Sequence, residues 1–140
     1  MKTLDVATQS QQEIVDVTGE VAAAVAASGL VDGLCHLFVP HTTAGLAINE
    51  NADPDVKRDL LYALAELVPA DPAFRHAEGN SPAHIKSVLC GSGATLFVTD
   101  GRLELGAWGG VYFCEFDGPR RRRLLLRVQG TNARGEQILV

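Results

Sequence analysis

Leu4 and Val6, then Ile14 and Val15, are the apolar positions of two short runs on either side of the polar Ser10-Gln11-Gln12, and they predict strands over 3–9 and 12–16. Thr18 is placed to cap a helix, the Ala- and Val-rich GEVAAAVAAS continues it, and Gly29 ends it. Its small side chains suit close packing on a sheet. From Gly33 to Val39 the run GLCHLFV is apolar on both faces, the pattern of an interior strand in which His36 is a satisfied core or interface histidine. Pro40 stops that strand, HTTAG leads to a short LAINE strand, and Asp53 caps the next helix with Pro54 in its first position. Val56, Leu60, Leu61, Leu64 and Leu67 carry that helix to Pro69.

PADPAFRHAEGN, from Pro69 to Asn80, is the longest irregular segment, after which Ser81 and Pro82 start a short helix that Gly91 ends. The remainder reads as strand: ATLFVT, a turn at Asp100-Gly101, RLELG, GVYFCEF, a turn at Asp117-Gly118-Pro119, and RRLLLRVQ. The apolar last three residues are placed to pair with a neighbouring edge or a neighbouring subunit. The pattern defines one α+β domain over residues 1–140, mostly antiparallel sheet, with two longer helices and one short one.

Composition narrows the function. A chain of 140 residues, 46% apolar and 21% charged, buries a core without disulfides. A net charge of −5 argues against nucleic acid or an anionic membrane as partner, since either is held by a positive field. The N-terminal MKTLDVATQS has no apolar core of a signal peptide and no run reaches the ~18 residues of a membrane span, so a cytoplasmic protein is expected. Cys35, Cys90 and Cys114 sit among apolar neighbours without a Cys-x-x-Cys spacing and read as small buried thiols.

Three polar segments concentrate chemistry at element ends: His41 to Asp55, His76 to His84, and Glu115 to Arg120. A simple turn does not need His41, Thr42, Thr43, Asn49, Glu50, Asn51, Asp53 and Asp55. Histidines fall in the first two segments, and imidazole is both a metal ligand and a proton carrier near neutral pH. His84 stands on the first turn of the short helix, with Glu78 in the loop before it. Glu115 lies in a strand apolar on both faces and needs a buried partner: a cation, a metal or a donor network, with Arg102 or Arg120 as a salt-bridge candidate. Arg120, next to the turn, is best placed for a phosphate, while Arg121 to Arg123 read as a solvated or edge-protecting run. Asn49, Asn51, Asn80 and the helix start at Ser81 add neutral donors for an anion.

The stretches VPHTTAGLAINENADPDVKRDL, HAEGNSPAHIKSVLCG and GRLELGAWGGVYFCEFDGPRRRRLL resemble the signature segments of the YjbQ family, also called secondary thiamine-phosphate synthases, in order through nearly the whole chain. The resemblance implies a β-sandwich-like α+β subunit, a homotrimer with pockets near subunit boundaries, and a synthase activity. That activity joins hydroxymethylpyrimidine diphosphate to thiazole phosphate with loss of pyrophosphate. A divalent metal is implied as well, Mg²⁺ for the diphosphate or a zinc-like ion for a histidine-rich pocket. His41, Asn49, Glu50, Asp53, Glu78, Asn80, His84, Glu115 and Arg120 match the family's polar positions. On that basis His41, Glu50 and Glu115 are the expected catalytic groups, and His41, Glu78 and His84 the metal ligands. Thr42, Thr43, Asn49, Asn51, Asn80, Trp108 and Arg120 are the expected substrate contacts. Ala107 and Gly109 depart from the family's Thr-Trp-Gln-Gly pattern, which bears on substrate range.

Three functions fit these residues. The first is a metal-assisted enzyme acting on a small phosphorylated or anionic substrate, which requires one pocket gathering His41, Glu50, His84 and Glu115. The second is a non-catalytic binding protein for a small anion or a metal. The third is a structural trimer whose polar loops satisfy buried backbone at subunit contacts.

Overall fold

Alternating burial builds two antiparallel sheets in the computed structural model, which describes all 140 residues. The larger sheet contains, in spatial order, β1 (Lys2–Ala7), β8 (Arg121–Thr131), β3 (Asp32–Phe38), β5 (Gly93–Thr99) and β6 (Arg102–Leu103), and β9 (Gln137–Leu139) also pairs with β8. The smaller has β7 (Gly109–Glu115) between β2 (Glu13–Asp16) and β4 (Ala44–Glu50). Helices α1 (Thr18–Ser28), α2 (Pro54–Leu67) and α3 (Ser81–Cys90) complete a single α+β domain. No helix is long and apolar enough to cross a membrane.

The two apolar faces of β7 explain the layering. Val111 and Phe113 enter the main core with Val6, Leu37, Leu96, Leu124, Leu126 and the α1 residues Val21 and Val25. Tyr112 and Cys114, on the opposite face, join Phe116 and Ala83 in a second cluster under the helices. β8 shows the same parity: Arg122, Leu124, Leu126 and Val128 point inward, whereas Arg121, Arg123 and Arg127 are exposed. The apolar tail pairs within its own chain, Gln129 opposite Leu139.

Several local expectations change. α1 begins at Thr18 but is not capped by it; Asp16 Oδ1 accepts from Thr18 N at 3.0 Å, and the Thr18 hydroxyl accepts from Val111 N at 2.8 Å. Asp53 does cap α2, accepting from Asp55 N at 2.9 Å. RLELG supplies only the two residues of β6 before the chain leaves the sheet. His36 is satisfied on the outer face, its Nδ1 3.0 Å from Thr95 Oγ1.

α3 inverts its hydrophobicity. It turns Ala83, Lys86 and Ser87 inward and leaves Val88 and Leu89 exposed. Gly45 allows this close approach, because a Cβ there would come within 2.8 Å of Cys90 Sγ and of Gly91 O. The contact is sealed by Ser87 Oγ donating to Ala44 O at 2.6 Å and Leu46 N donating to Gly91 O at 2.9 Å. Cys35 and Cys114 are buried, as their apolar neighbours suggest, and Cys90 is half-buried. Burial pushes the Cys35 thiol up to about 11.

Candidate functional site

Three chain segments meet at one end of the smaller sheet: the β3–β4 corner at Pro40 to Thr43, the approach to α3 from His76 to His84, and the β7–β8 turn from Asp117 to Arg122. They enclose an open cavity of about 440 Å³ whose lining residues are all polar or proline. Past His41, Thr42 and His84 it adjoins a second hollow of about 670 Å³ flanked by Phe38, Val39 and Val88.

Beneath the cleft lies a brace between the sheets. Glu115 is fully buried and accepts from Arg122 Nε at 2.9 Å, Arg122 Nη2 at 2.5 Å, Thr8 Oγ1 at 2.7 Å and Asp117 N at 3.1 Å. Burial raises its proton affinity, but hydrogen bonds from Arg122, Thr8 and the Asp117 backbone outweigh burial and hold the carboxyl below its ordinary range. Arg122 Nη2 also donates to Thr43 Oγ1 at 2.8 Å. Glu115 therefore departs from the expected catalytic role: its oxygens are committed to donors that hold the cleft's floor. Its partner is Arg122, not Arg102 or Arg120.

The turn above it supplies an exposed cation. Arg120 donates through Nε to Asp117 O at 2.8 Å and through Nη2 to Asp117 Oδ2 at 3.2 Å, yet its side chain is 53% exposed. Asn80 Nδ2 donates to the same Asp117 carboxylate at 2.9 Å, leaving Asn80 Oδ1 buried without a partner. Thr8 hydroxyl fixes the turn by accepting from Arg120 N at 2.8 Å. Gly118 is required here, since a Cβ would strike Ser10 O and approach Glu115 Cγ at 2.8 Å.

His41 has a defined tautomer. Its Nε2 accepts from Arg123 N at 2.9 Å, so in the neutral ring Nδ1 carries the proton. Partial burial and then the positive charges of Arg122 and Arg123 lower its pKa, against an upward pull from Glu115. The neutral ring is thus an N–H donor, and its acceptor nitrogen is spent on backbone rather than free for a metal. His84 packs edge-on against His76, ring centroids 5.2 Å apart. Both line the cleft with Glu78, but no group of three or more His, Cys, Asp or Glu side chains is arranged to hold an ion.

The expectation of one pocket gathering Glu50 with the histidines fails within the chain. At ~3.3 Å per residue, β4 carries Glu50 about 20 Å beyond Ala44, to the far end of the sheet. Asn49, Asn51 and Trp108 share that end. Asn49 Oδ1 accepts from Glu50 N at 2.7 Å. Asn51 donates to Asp16 Oδ2 at 2.8 Å, accepts from Lys57 Nζ at 2.5 Å, and ties its own N–H to Trp108 O at 2.7 Å. These contacts organise a strand-to-helix junction. Of the expected residues, His41, Thr42, Thr43, Glu78, Asn80, His84 and Arg120 do line the cleft. It also includes His76, Asp117 and Arg122, and the last was detectable from its parity with Leu124 and Leu126.

Fold and cleft together define a class: a two-sheet α+β subunit with a polar pocket where the sheet corner, a helix start and a cis-proline turn converge. Residues 2–131 match the family model described as UPF0047 protein YjbQ-like, and the chain belongs to that family. It is 48% identical to a UPF0047 protein of Methanocaldococcus jannaschii, covering 88% of this chain and 89% of that one. It is 47% identical to UPF0047 protein YugU of Bacillus subtilis, covering 93% and 99%. An uncharacterised YjbQ/UPF0047 protein of Clostridium acetobutylicum superposes with a TM-score of 0.89 at 45% identity, over 91% of this chain and 99% of that one.

These findings confirm the family and overturn the activity expected from it. The relatives are described as UPF0047 proteins and the structural neighbour as an uncharacterised conserved protein, and none of them points to thiamine-phosphate synthesis. The expected machinery is also dispersed here, with Glu50 remote and Glu115 saturated.

Proposed function

We propose that the cleft binds a small phosphorylated molecule, with Arg120, the Nδ1–H of His41 and the hydroxyls of Thr42 and Thr43 as its donors. The observation that carries this reading is the Arg123 N–H bond to His41 Nε2, which makes a neutral histidine a donor beside a half-used guanidinium. Charge-assisted donors of this kind favour phosphate oxygens. Asp117 and Asn80 hold Arg120 at the rim instead of neutralising it fully. A divalent cation accompanying the phosphate would lie against the opposite wall near His84, His76 and Glu78, with the ligand's own oxygens completing a set that those side chains alone are not arranged to supply. Imidazole with carboxylate suits a zinc-like ion better than Mg²⁺. Such an ion would screen phosphate charge from Glu78.

Subunit association belongs to the same reading. Phe38, Phe97, Val88 and Leu89 form exposed apolar surface that further copies of the chain would cover in a homotrimer. Sedimentation equilibrium of the purified protein measures that state directly, and a monomer at micromolar concentration would refute it.

Calorimetric titration with inorganic phosphate and pyrophosphate tests the ligand. Saturable binding is expected, weakened at least tenfold in Arg120→Ala. Absence of binding to the wild type, or equal binding to the variant, would defeat the proposal.

A further inference from the structure

Lys86 is the unexplained residue of α3. It lies 4% exposed on the inward face, and its ammonium donates to a single neutral partner, Gln12 Oε1 at 3.1 Å. Neither salt bridge in the chain involves it. A buried cation without a counter-charge is costly, and α3 keeps it while exposing Val88 and Leu89.

Lys86 lines a cavity of about 440 Å³ under the α2–α3 connection, separate from the histidine cleft but sharing the wall formed by Glu78, Asn80 and Asp117. Asn80 Oδ1 is the buried acceptor left without a donor. Helical side chains lean toward the N-terminus, so Lys86 runs back along α3 in the direction of Asn80, the residue before its first turn. The cavity lining therefore combines a cation and an amide, Lys86 and Gln12, with the carboxylates of Glu78 and Asp117 and the orphaned Asn80 Oδ1. Phe116 and Val68 supply its apolar lining.

We propose that this cavity binds a small zwitterionic amino acid, its carboxylate on Lys86 and its ammonium on Asn80 Oδ1 and the neighbouring carboxylates. A simple anion leaves Asn80 unsatisfied and meets Glu78 and Asp117; a simple amine leaves Lys86 uncompensated. A molecule carrying both groups meets both needs. The inference does not depend on the phosphate reading, although Asp117 borders both cavities.

The probes are glycine, β-alanine and γ-aminobutyrate, against acetate and ethylamine, titrated calorimetrically into the full-length protein. At least one amino acid is expected to bind tenfold or more tightly than either single-charge probe. Lys86→Met should weaken it at least tenfold while changing phosphate binding less than tenfold. Should Lys86→Met not fold, Asn80→Leu provides the same tenfold test from the ammonium side. No binding of any amino acid, or acetate binding as tightly, overturns the inference. Loss of phosphate binding alone bears on the cleft and not on this site.

Discussion

Arg122 and Glu115 face each other across the two sheets, Nε 2.9 Å from Oε1, with the arginine side chain 5% exposed and the carboxylate wholly buried. The pair joins β8 to β7 directly below the cleft and is reinforced by Thr8 and Thr43. Removing one member strands the other in the interior. Glu115→Ala is therefore expected to cost about 3–5 kcal/mol of folding stability. Urea denaturation measures it, and a loss below about 1 kcal/mol would show the brace to be dispensable.

The same pair sets an acid limit. Glu115 has a folded pKa below its unfolded one, so the unfolded chain binds more protons as pH falls. Its contribution is fully present above the ordinary carboxylate pKa of 4.5 and is lost as pH drops from there through the depressed folded value. The double variant Glu115→Gln, Arg122→Met lacks this titration. Its urea midpoint should fall less between pH 5 and pH 3 than that of the wild type, by about the same reckoning that links one pKa unit to ~1.4 kcal/mol. Parallel losses in the two proteins would contradict the linkage.

Arg120 should behave oppositely to Arg122 although only two residues separate them. Its bridge to Asp117 is exposed, and such pairs contribute about 0–1 kcal/mol. Arg120→Ala is expected to leave stability within about 1 kcal/mol of wild type while weakening phosphate binding at least tenfold. Chemical denaturation beside phosphate titration separates the two roles; a large stability loss would make Arg120 part of the scaffold instead.

That contrast shows where the sequence was readable. Arg122 does not belong to the solvated run expected of Arg121 to Arg123, because alternation along RRRRLLLRV places it in phase with Leu124, Leu126 and Val128 and its burial follows from strand period once the register is seen. The helix starts at Pro54 and Ser81, the Asp100-Gly101 turn and the two-faced strand at β7 were equally legible, because caps, turns and period are local. The site was half legible. His41, Glu78, His84 and Arg120 converge as their positions at element ends suggest. Glu50 does not, since a shared motif says nothing of how far a strand carries its far end. Lys86 was invisible for a different reason: apolar spacing points Val88 and Leu89 inward, and only packing against β4 reverses the helix.

Gly45 is where that reversal can be tested. Its missing side chain lets Cys90 Sγ and Gly91 O lie where a Cβ would be 2.8 Å from each, and Gly91 O is backbone that cannot rotate away. Gly45→Val should force α3 off β4, costing about 1–3 kcal/mol as overpacking does. Because α3 carries His84 and follows Asn80, the displacement should reach the cleft and weaken phosphate binding as well. Gly19→Ala is the control: it adds a methyl in α1 with nothing within 4 Å and should stabilise by about 0.5–1 kcal/mol. Measured together by urea denaturation and phosphate titration, the two variants distinguish a glycine required by close approach from one that is merely tolerated. If Gly45→Val retained both stability and affinity, the contact between α3 and β4 would not be what positions the cleft.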